Sequence, residues 1–218
     1  MTEINLMDRY PQSRRNPEER AARITDEQRA IARQFGEDFF DGDRLYGYGG
    51  YNYHPKFWTD TVKRFCDYYK LAPDAAVLDV GCGKGFMMHD FKLLLPEMTI
   101  RGIDISEYAI TNTMEDMKEY VSVGTARELP FEDNSFDLVI SINTVHNLSL
   151  QECKQSLREI ERVSRLDSFI VVDAWRSAEE EKRMLMWNLT ARTYMHTSNW
   201  EALFDEVGFT GDFYWFIP

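Results

Sequence analysis

The stretch Val77-Leu-Asp-Val-Gly-Cys-Gly-Lys-Gly85 decides the fold. It opens as a short apolar run and then sets glycine at alternate positions, Gly81, Gly83 and Gly85. Glycine adopts positive φ without strain and lets a ligand approach the backbone, so the pattern predicts a strand, a tight turn and a helix. A phosphate-cradling loop would follow its last glycine with Lys and Ser or Thr; Phe86 and Met87 stand there instead. Asp79 lies inside the strand just ahead of the glycines, where a carboxylate can meet a cationic amino group.

Downstream, apolar runs alternate with amphipathic ones. Strands are expected at Ala76–Val80, Met98–Ile103, Tyr120–Val123, Phe136–Ile142, Ser168–Asp173 and Phe213–Ile217. Helices are expected at Lys84–Leu95, Glu107–Glu119, Leu150–Val163 and Ala178–Thr193, and one more from the capping box Ser198-Asn-Trp-Glu201 to Gly208. Strands with no polar alternation are covered on both faces, which predicts an α/β, mostly parallel sheet between two helical layers. Upstream, residues 1–24 are polar and read as an arm rather than core. Thr25-Asp-Glu-Gln28 caps a helix running to about Phe40, and a second helix spans Pro55–Tyr69. Two units follow: a helical and aromatic lid over residues 1–72 and a ligand-binding domain over 73–218.

Asp104 ends the second strand about 20 residues beyond the glycines, the place from which a carboxylate accepts hydrogen bonds from ribose hydroxyls. With Asp79 it specifies an adenosine nucleoside that carries an amino group. Ala126-Arg-Glu-Leu-Pro-Phe131 and Asn134-Ser-Phe-Asp-Leu-Val-Ile-Ser-Ile142 then supply a loop and a fourth strand in order. Over residues 73–175 the chain resembles the class I S-adenosylmethionine-dependent methyltransferases. The resemblance implies a Rossmann-like, doubly wound sheet with an antiparallel terminal strand. It implies S-adenosyl-L-methionine as methyl donor, its methionine part held by Asp79, Gly81, Cys82, Gly83, Gly85 and the backbone of Asn143. Asp104 and Ile105 would hold the ribose, and Ala126 with Arg127 the adenine. Where the family often has Asp before that alanine, this chain has Thr125.

Methyl transfer is a displacement at an already activated carbon, so alignment supplies much of the catalysis, and a base is needed only if the acceptor must lose a proton. His146, just past the fourth strand, is the candidate base; at this position histidine also occurs without a catalytic role. His54 and His196 are lesser candidates, and His89 is read as structural. The loop Tyr46-Gly-Tyr-Gly-Gly-Tyr-Asn-Tyr53 offers Tyr46 and Tyr48 as a lid over the sulfonium or an amine acceptor. The same rings could simply pack the N-terminal segment onto the sheet.

The 218 residues carry a net charge of −12, which opposes attraction to phosphate backbones and favours a small-molecule acceptor over nucleic acid. No apolar run reaches membrane-spanning length, and the first residues lack the basic and apolar regions of a secretory signal. The three cysteines form no C-x-x-C pair, and no metal-ligand spacing joins the four histidines. The expectation is a cytoplasmic enzyme of biosynthesis, in specialised-metabolite or polysaccharide pathways, with a homodimer permitted. Two other readings stay open: cyclisation of the donor's aminobutyrate arm, and a binding module without catalysis.

Overall fold

The computed structural model describes residues 1–11, 16–49 and 51–218. Its strands are β1 (Ala76–Val80), β2 (Thr99–Asp104), β3 (Val121–Val123), β4 (Phe136–Ile142), β5 (Ser164–Trp175), β6 (Met195–His196) and β7 (Asp212–Phe216). They form one sheet in the order β3-β2-β1-β4-β5, with β7 and the short β6 sharing the outer edge of β5. The helices are α1 (Pro17–Ala21), α2 (Asp26–Ala32), α3 (Glu37–Phe40), α4 (Pro55–Tyr69), α5 (Phe86–Leu94), α6 (Glu107–Thr111), α7 (Leu150–Val163), α8 (Ala178–Trp187) and α9 (Thr197–Val207).

The expected α/β, doubly wound architecture is present, and period-two burial explains it. Along β5, Phe169 and Val171 face α4 and α5, while Ile170 and Val172 face α7 and α9. Both faces are therefore apolar, and every strand pair in the sheet is parallel. The strand order reverses between β1 and β4, which parts the loops beyond their carboxyl ends and opens a crevice there.

The terminal strand corrects one expectation: β7 runs parallel to β5, from Phe169 beside Asp212 to Asp173 beside Phe216. The two-residue β6 sits at the top of the sheet, and α9 then carries the chain back to the bottom. Gly208, at φ 72°, stops α9 there, so the last strand can only run upward. Trp200, Phe204, Phe213 and Trp215 pack this return against the sheet.

The N-terminal arm is a second correction. Ile4 N–H donates to Phe213 O and Phe213 N–H to Thr2 O, so residues 2–4 extend the sheet beyond β7. Leu6 is fully buried and Met7 nearly so, within the α4–α5 layer.

Three helices end earlier than their periodicity suggests. Phe35, at φ 51°, and Gly36 divide the expected helix into α2 and α3. After α6, the Thr113 hydroxyl bonds back to Ala109 O and Met114 N–H donates to Lys84 O, drawing the chain into a 3₁₀ turn over Glu115–Tyr120. The chain leaves helix α8 at Asn188 because α2, Arg33 and Tyr48 receive its polar groups. Arg29 and Arg33 donate to the carbonyls of Asn188 and Thr190, and Leu189 N–H donates to the Tyr48 hydroxyl.

The segment around α3 is fastened directly to the glycine turn. Lys84 Nζ lies 2.5 and 2.6 Å from the two Asp41 carboxylate oxygens and 3.0 Å from Tyr51 O. The Ser106 hydroxyl donates to Phe35 O at 2.5 Å.

Two outcomes follow from this packing. Leu6→Ala should lower unfolding free energy by about 3 kcal/mol, as for a fully buried leucine, measured by urea denaturation. A loss near zero would show that the arm is not core. Asp41→Asn leaves the buried Lys84 ammonium without its counter-charge and should cost about 2 kcal/mol, less than a fully buried pair because Asp41 is partly exposed. Limited proteolysis of residues 17–54 should accelerate in parallel; unchanged stability and cleavage would remove the latch from the account.

Candidate functional site

The crevice at the strand reversal is a cavity of about 920 Å³. Gly81 reaches positive φ (88°) beside Thr144; a Cβ there would stand 2.0 Å from the Thr144 hydroxyl oxygen. The loop after β1 therefore packs backbone against the loop after β4, and no side chain fits between them. Gly83, at φ 53°, turns its N–H to Asp104 Oδ2 at 2.8 Å, while Ser106 N–H donates to Oδ1 at 2.8 Å. Asp104 is thus oriented by both the glycine turn and the start of α6.

Of the expected donor residues, Asp79, Gly81, Cys82, Gly83, Asp104, Ile105, Ala126 and Asn143 all line this cavity. Gly85 and Arg127 do not. Gly85 is the N-cap of α5 and packs against Met117 and Thr113. Arg127 turns outward to Glu152 at 2.6 Å and donates to the Thr125 hydroxyl, so its side chain leaves the adenine side of the cavity. Asn143 adopts φ 54°, with its N–H on Val171 O and its carbonyl accepting from the Asn147 amide.

Among the described residues, no Lys or Arg is in salt-bridge contact with the cavity's carboxylates Asp79 and Asp104. Asp79 is 7% exposed; burial, with the Asp104 charge behind it, pushes its carboxyl up to about 7. Burial also raises Asp104, against the two N–H groups that favour its charged form. Burial pushes the Cys82 thiol well upward, so it stays a thiol. An ammonium beside Asp79 and hydroxyls beside Asp104 would supply what these carboxylates lack, and the residues present fit the expected donor. Among the described residues no group of His, Cys, Asp and Glu could hold a metal ion.

His146 is placed in the cavity wall but cannot serve as the expected base in this arrangement. Its Nδ1 accepts the Asp173 backbone N–H at 3.0 Å, so the neutral ring must carry its proton on Nε2. No lone pair is left to take a proton, and burial holds the ring's pKa down at about 3. Tyr46 lies outside the cavity wall. Tyr48 lies in it, yet its ring stacks on Trp187 at 5.8 Å and the Arg20 guanidinium stands 4.9 Å from its centroid. Its cation-binding capacity is already used, and the tyrosine side chain pins the lid to the loop after α8. Gly50, inside the tyrosine–glycine loop, lies outside the described residues.

Of the other histidines, His54 lines the cavity while His89 and His196 lie outside its wall, and each has a local partner. His54 Nδ1 caps α4, and His89 pairs with Asp116 at 2.5 Å. His196 caps α9 in place of the expected Ser198 box and donates from Nε2 to Arg176 O. Sequence reasoning passed over Lys84, the Phe35–Phe40 segment and Asp173. The signal for Asp173 was present: Phe169-Ile-Val-Val-Asp173 is a buried strand ending in a carboxylate, as Arg101-Gly-Ile-Asp104 is.

A methyltransferase-domain family matches residues 78–172, from β1 through β5. A protein named as a methyltransferase in Encephalitozoon cuniculi is 29% identical over 69% of this chain and 75% of its own length. A tRNA (carboxymethyluridine(34)-5-O)-methyltransferase of Arabidopsis thaliana is 29% identical over 60% of this chain, which spans only 31% of that enzyme. A 24-methylenesterol C-methyltransferase of the same plant is 32% identical over 53% of this chain, which spans 33% of it. Among solved structures, the YcgJ protein of Bacillus subtilis superposes with a TM-score of 0.55 at 22% identity, covering 67% of this chain and 66% of that one. The ordered motif, the strand reversal above it and the domain match coincide in one stretch, residues 78–172, and it is over this stretch that the chain is similar to the methyltransferase-domain family.

Proposed function

We propose that this chain transfers a methyl group from S-adenosylmethionine to a small-molecule acceptor in biosynthesis. One observation carries the reading: two buried carboxylates with no cation partner among the described residues, Asp79 and Asp104, flank the glycine turn in one cavity. The bound donor would supply an activated methyl group on its sulfonium. Asp79 pairs with the amino group, Asp104 accepts from the ribose hydroxyls, and Ile105 with Ala126 offers apolar surface to the adenine. Asn143 borders the methionine part. The segment from α2 to Tyr48 acts as a lid: Phe35, Phe39 and Phe40 close over the donor side and exclude water, which strengthens every charge interaction within.

A small acceptor is favoured over a polynucleotide by the net charge of −12 and by the lid, which roofs the cavity with aromatic rings rather than a basic track. That a relative modifies tRNA makes RNA the comparison to run. Incubation with S-adenosylmethionine and an acceptor library should yield S-adenosylhomocysteine; methylthioadenosine as product would replace methyl transfer with cyclisation. A bulk tRNA substrate turned over faster than every small acceptor would overturn the small-molecule reading.

Donor binding should depend on pH. Below about 7 Asp79 holds a proton and cannot pair with an ammonium, so affinity should rise as pH increases through that value. For the free protein the sign is opposite. A carboxyl raised by folding favours the folded state at acid pH, and that contribution is lost as pH climbs through about 7. Calorimetry near pH 6.5 in two buffers of different ionisation enthalpy should register proton release on donor binding; none would mean that Asp79 is already ionised. Asp104→Ala should weaken S-adenosylhomocysteine by roughly 2 kcal/mol, about thirtyfold, through loss of charge-assisted hydrogen bonds.

A further inference from the structure

The donor reading leaves one buried carboxylate of the cavity without a task. Asp173, near the carboxyl end of β5, is 4% exposed and lines the same cavity. The sheet register gives its distance from the donor's amino-group site. Asp79 stands level with Ile140, and Ile140 with Phe169, so Asp173 is four residues further along and two strands across. At about 3.3 Å per residue and about 4.8 Å per strand, the two backbone positions are separated by roughly 16 Å, more than two aspartate side chains can span to meet at one ammonium. One ammonium cannot serve both.

The position is built rather than incidental. Asp173 N–H donates to His146 Nδ1 at 3.0 Å and Asp173 O accepts from Trp200 Nε1 at 3.0 Å, both partners being buried. Two side chains thus hold its backbone while its carboxylate meets the cavity. The titratable groups facing it are His146 from the loop after β4 and Tyr48 from the lid. His146 Nε2 stands 3.8 Å from Oδ2 and belongs to a neutral ring, so it offers no positive charge. Arg20 packs on Tyr48 and Trp187 instead, and among the described residues no Lys or Arg is in salt-bridge contact with Asp173. Burial alone pushes its carboxyl up to about 7.

Around this carboxylate the wall is aromatic. Phe216 is its register partner on β7, Trp187 lies 5.6 Å from Phe216, and Tyr48 stacks on Trp187. A buried carboxylate without a counter-ion, inside an apolar enclosure, is matched by a cation on an apolar body. A hydroxyl acceptor would leave the burial of charge uncompensated, and a carboxylate acceptor would double it.

We propose that the methyl acceptor is a primary or secondary amine on an aromatic or alkyl skeleton, bound as its ammonium against Asp173 with the skeleton on the Tyr48–Trp187–Phe216 wall. This rests on the methyl-transfer reading and names its substrate class. The ammonium gives one proton to Asp173, and the nitrogen lone pair then forms the N–C bond as the C–S bond breaks. The C–S electron pair stays on sulfur, giving S-adenosylhomocysteine, and the methylated nitrogen carries the positive charge away. Asp173 returns its proton to solvent on product release.

The test uses the full chain saturated with S-adenosylhomocysteine, titrated calorimetrically with phenethylamine, 2-phenylethanol and 3-phenylpropanoate. The amine should bind at least about tenfold more tightly than the other two, and its affinity should fall as pH drops below about 7. Asp173→Asn should abolish that preference and its pH dependence, while S-adenosylhomocysteine affinity, read on the same sample, stays within about twofold and reports a folded site. An alcohol or carboxylate bound as tightly, no measurable amine binding, or a preference surviving in D173N overturns the proposal. D173N that weakens S-adenosylmethionine but not S-adenosylhomocysteine also overturns it, by assigning the charge to the sulfonium. Failure of the wild-type chain to bind S-adenosylhomocysteine at all would instead remove the donor reading.

Discussion

The Asp104 carboxylate takes two backbone N–H groups at once, from Gly83 and from Ser106, and the rest of the site is arranged around that grip. It fixes the glycine turn relative to the start of α6. Through the Ser106 hydroxyl, which reaches Phe35 O, it also fixes the segment between α2 and α3. Lys84, the residue between the last two glycines, adds a second tie through Asp41. Turn, sheet edge and lid therefore share one polar network, and a partly buried network of this kind holds only while each member is satisfied. A ligand drawing on Asp104 competes with groups that set the position of the lid.

What the sequence discloses follows from which forces are local. The strands β1, β4 and β5 are runs of apolar residues, and α4 and α7 end where their caps and periodicity say they should. That Gly81, Gly83, Asp79 and Asp104 meet at one cavity was legible for the same reason: they sit at fixed offsets from one strand–turn–helix unit and the strand beside it. The departures arise where distant contacts override local preference. Asn188–Ala191 leave helix because Arg29, Arg33 and Tyr48 from the lid satisfy their polar groups, and no window around residue 188 contains that information. The direction of β7 depends on the two-residue length of β6, a quantity set by packing.

His146 shows the limit most clearly. Residue type and position after β4 both suggested a base, yet the decisive fact is which ring nitrogen faces the Asp173 N–H. A hydrogen bond from 27 residues away occupies the one lone pair with which the neutral ring could have taken a proton. The Arg127 side chain is drawn from the cavity in a similar manner, by Glu152 on α7. In both cases the residue lies where expected and its chemistry is assigned elsewhere.

The pairing of Ile4 with Phe213 has a kinetic side. These partners are 209 positions apart, so closing them carries nearly the whole loop entropy of the chain, and few contacts could be less local. The inner strands β1, β2 and β4 can assemble from neighbouring βα units long before this. The edge formed by β7 and residues 2–4 is therefore expected to join last and to open first, exchanging its amide hydrogens ahead of the central strands. Phe216, beside Asp173, belongs to that edge, so the acceptor side of the cavity inherits the slowest-formed and most readily loosened margin of the sheet.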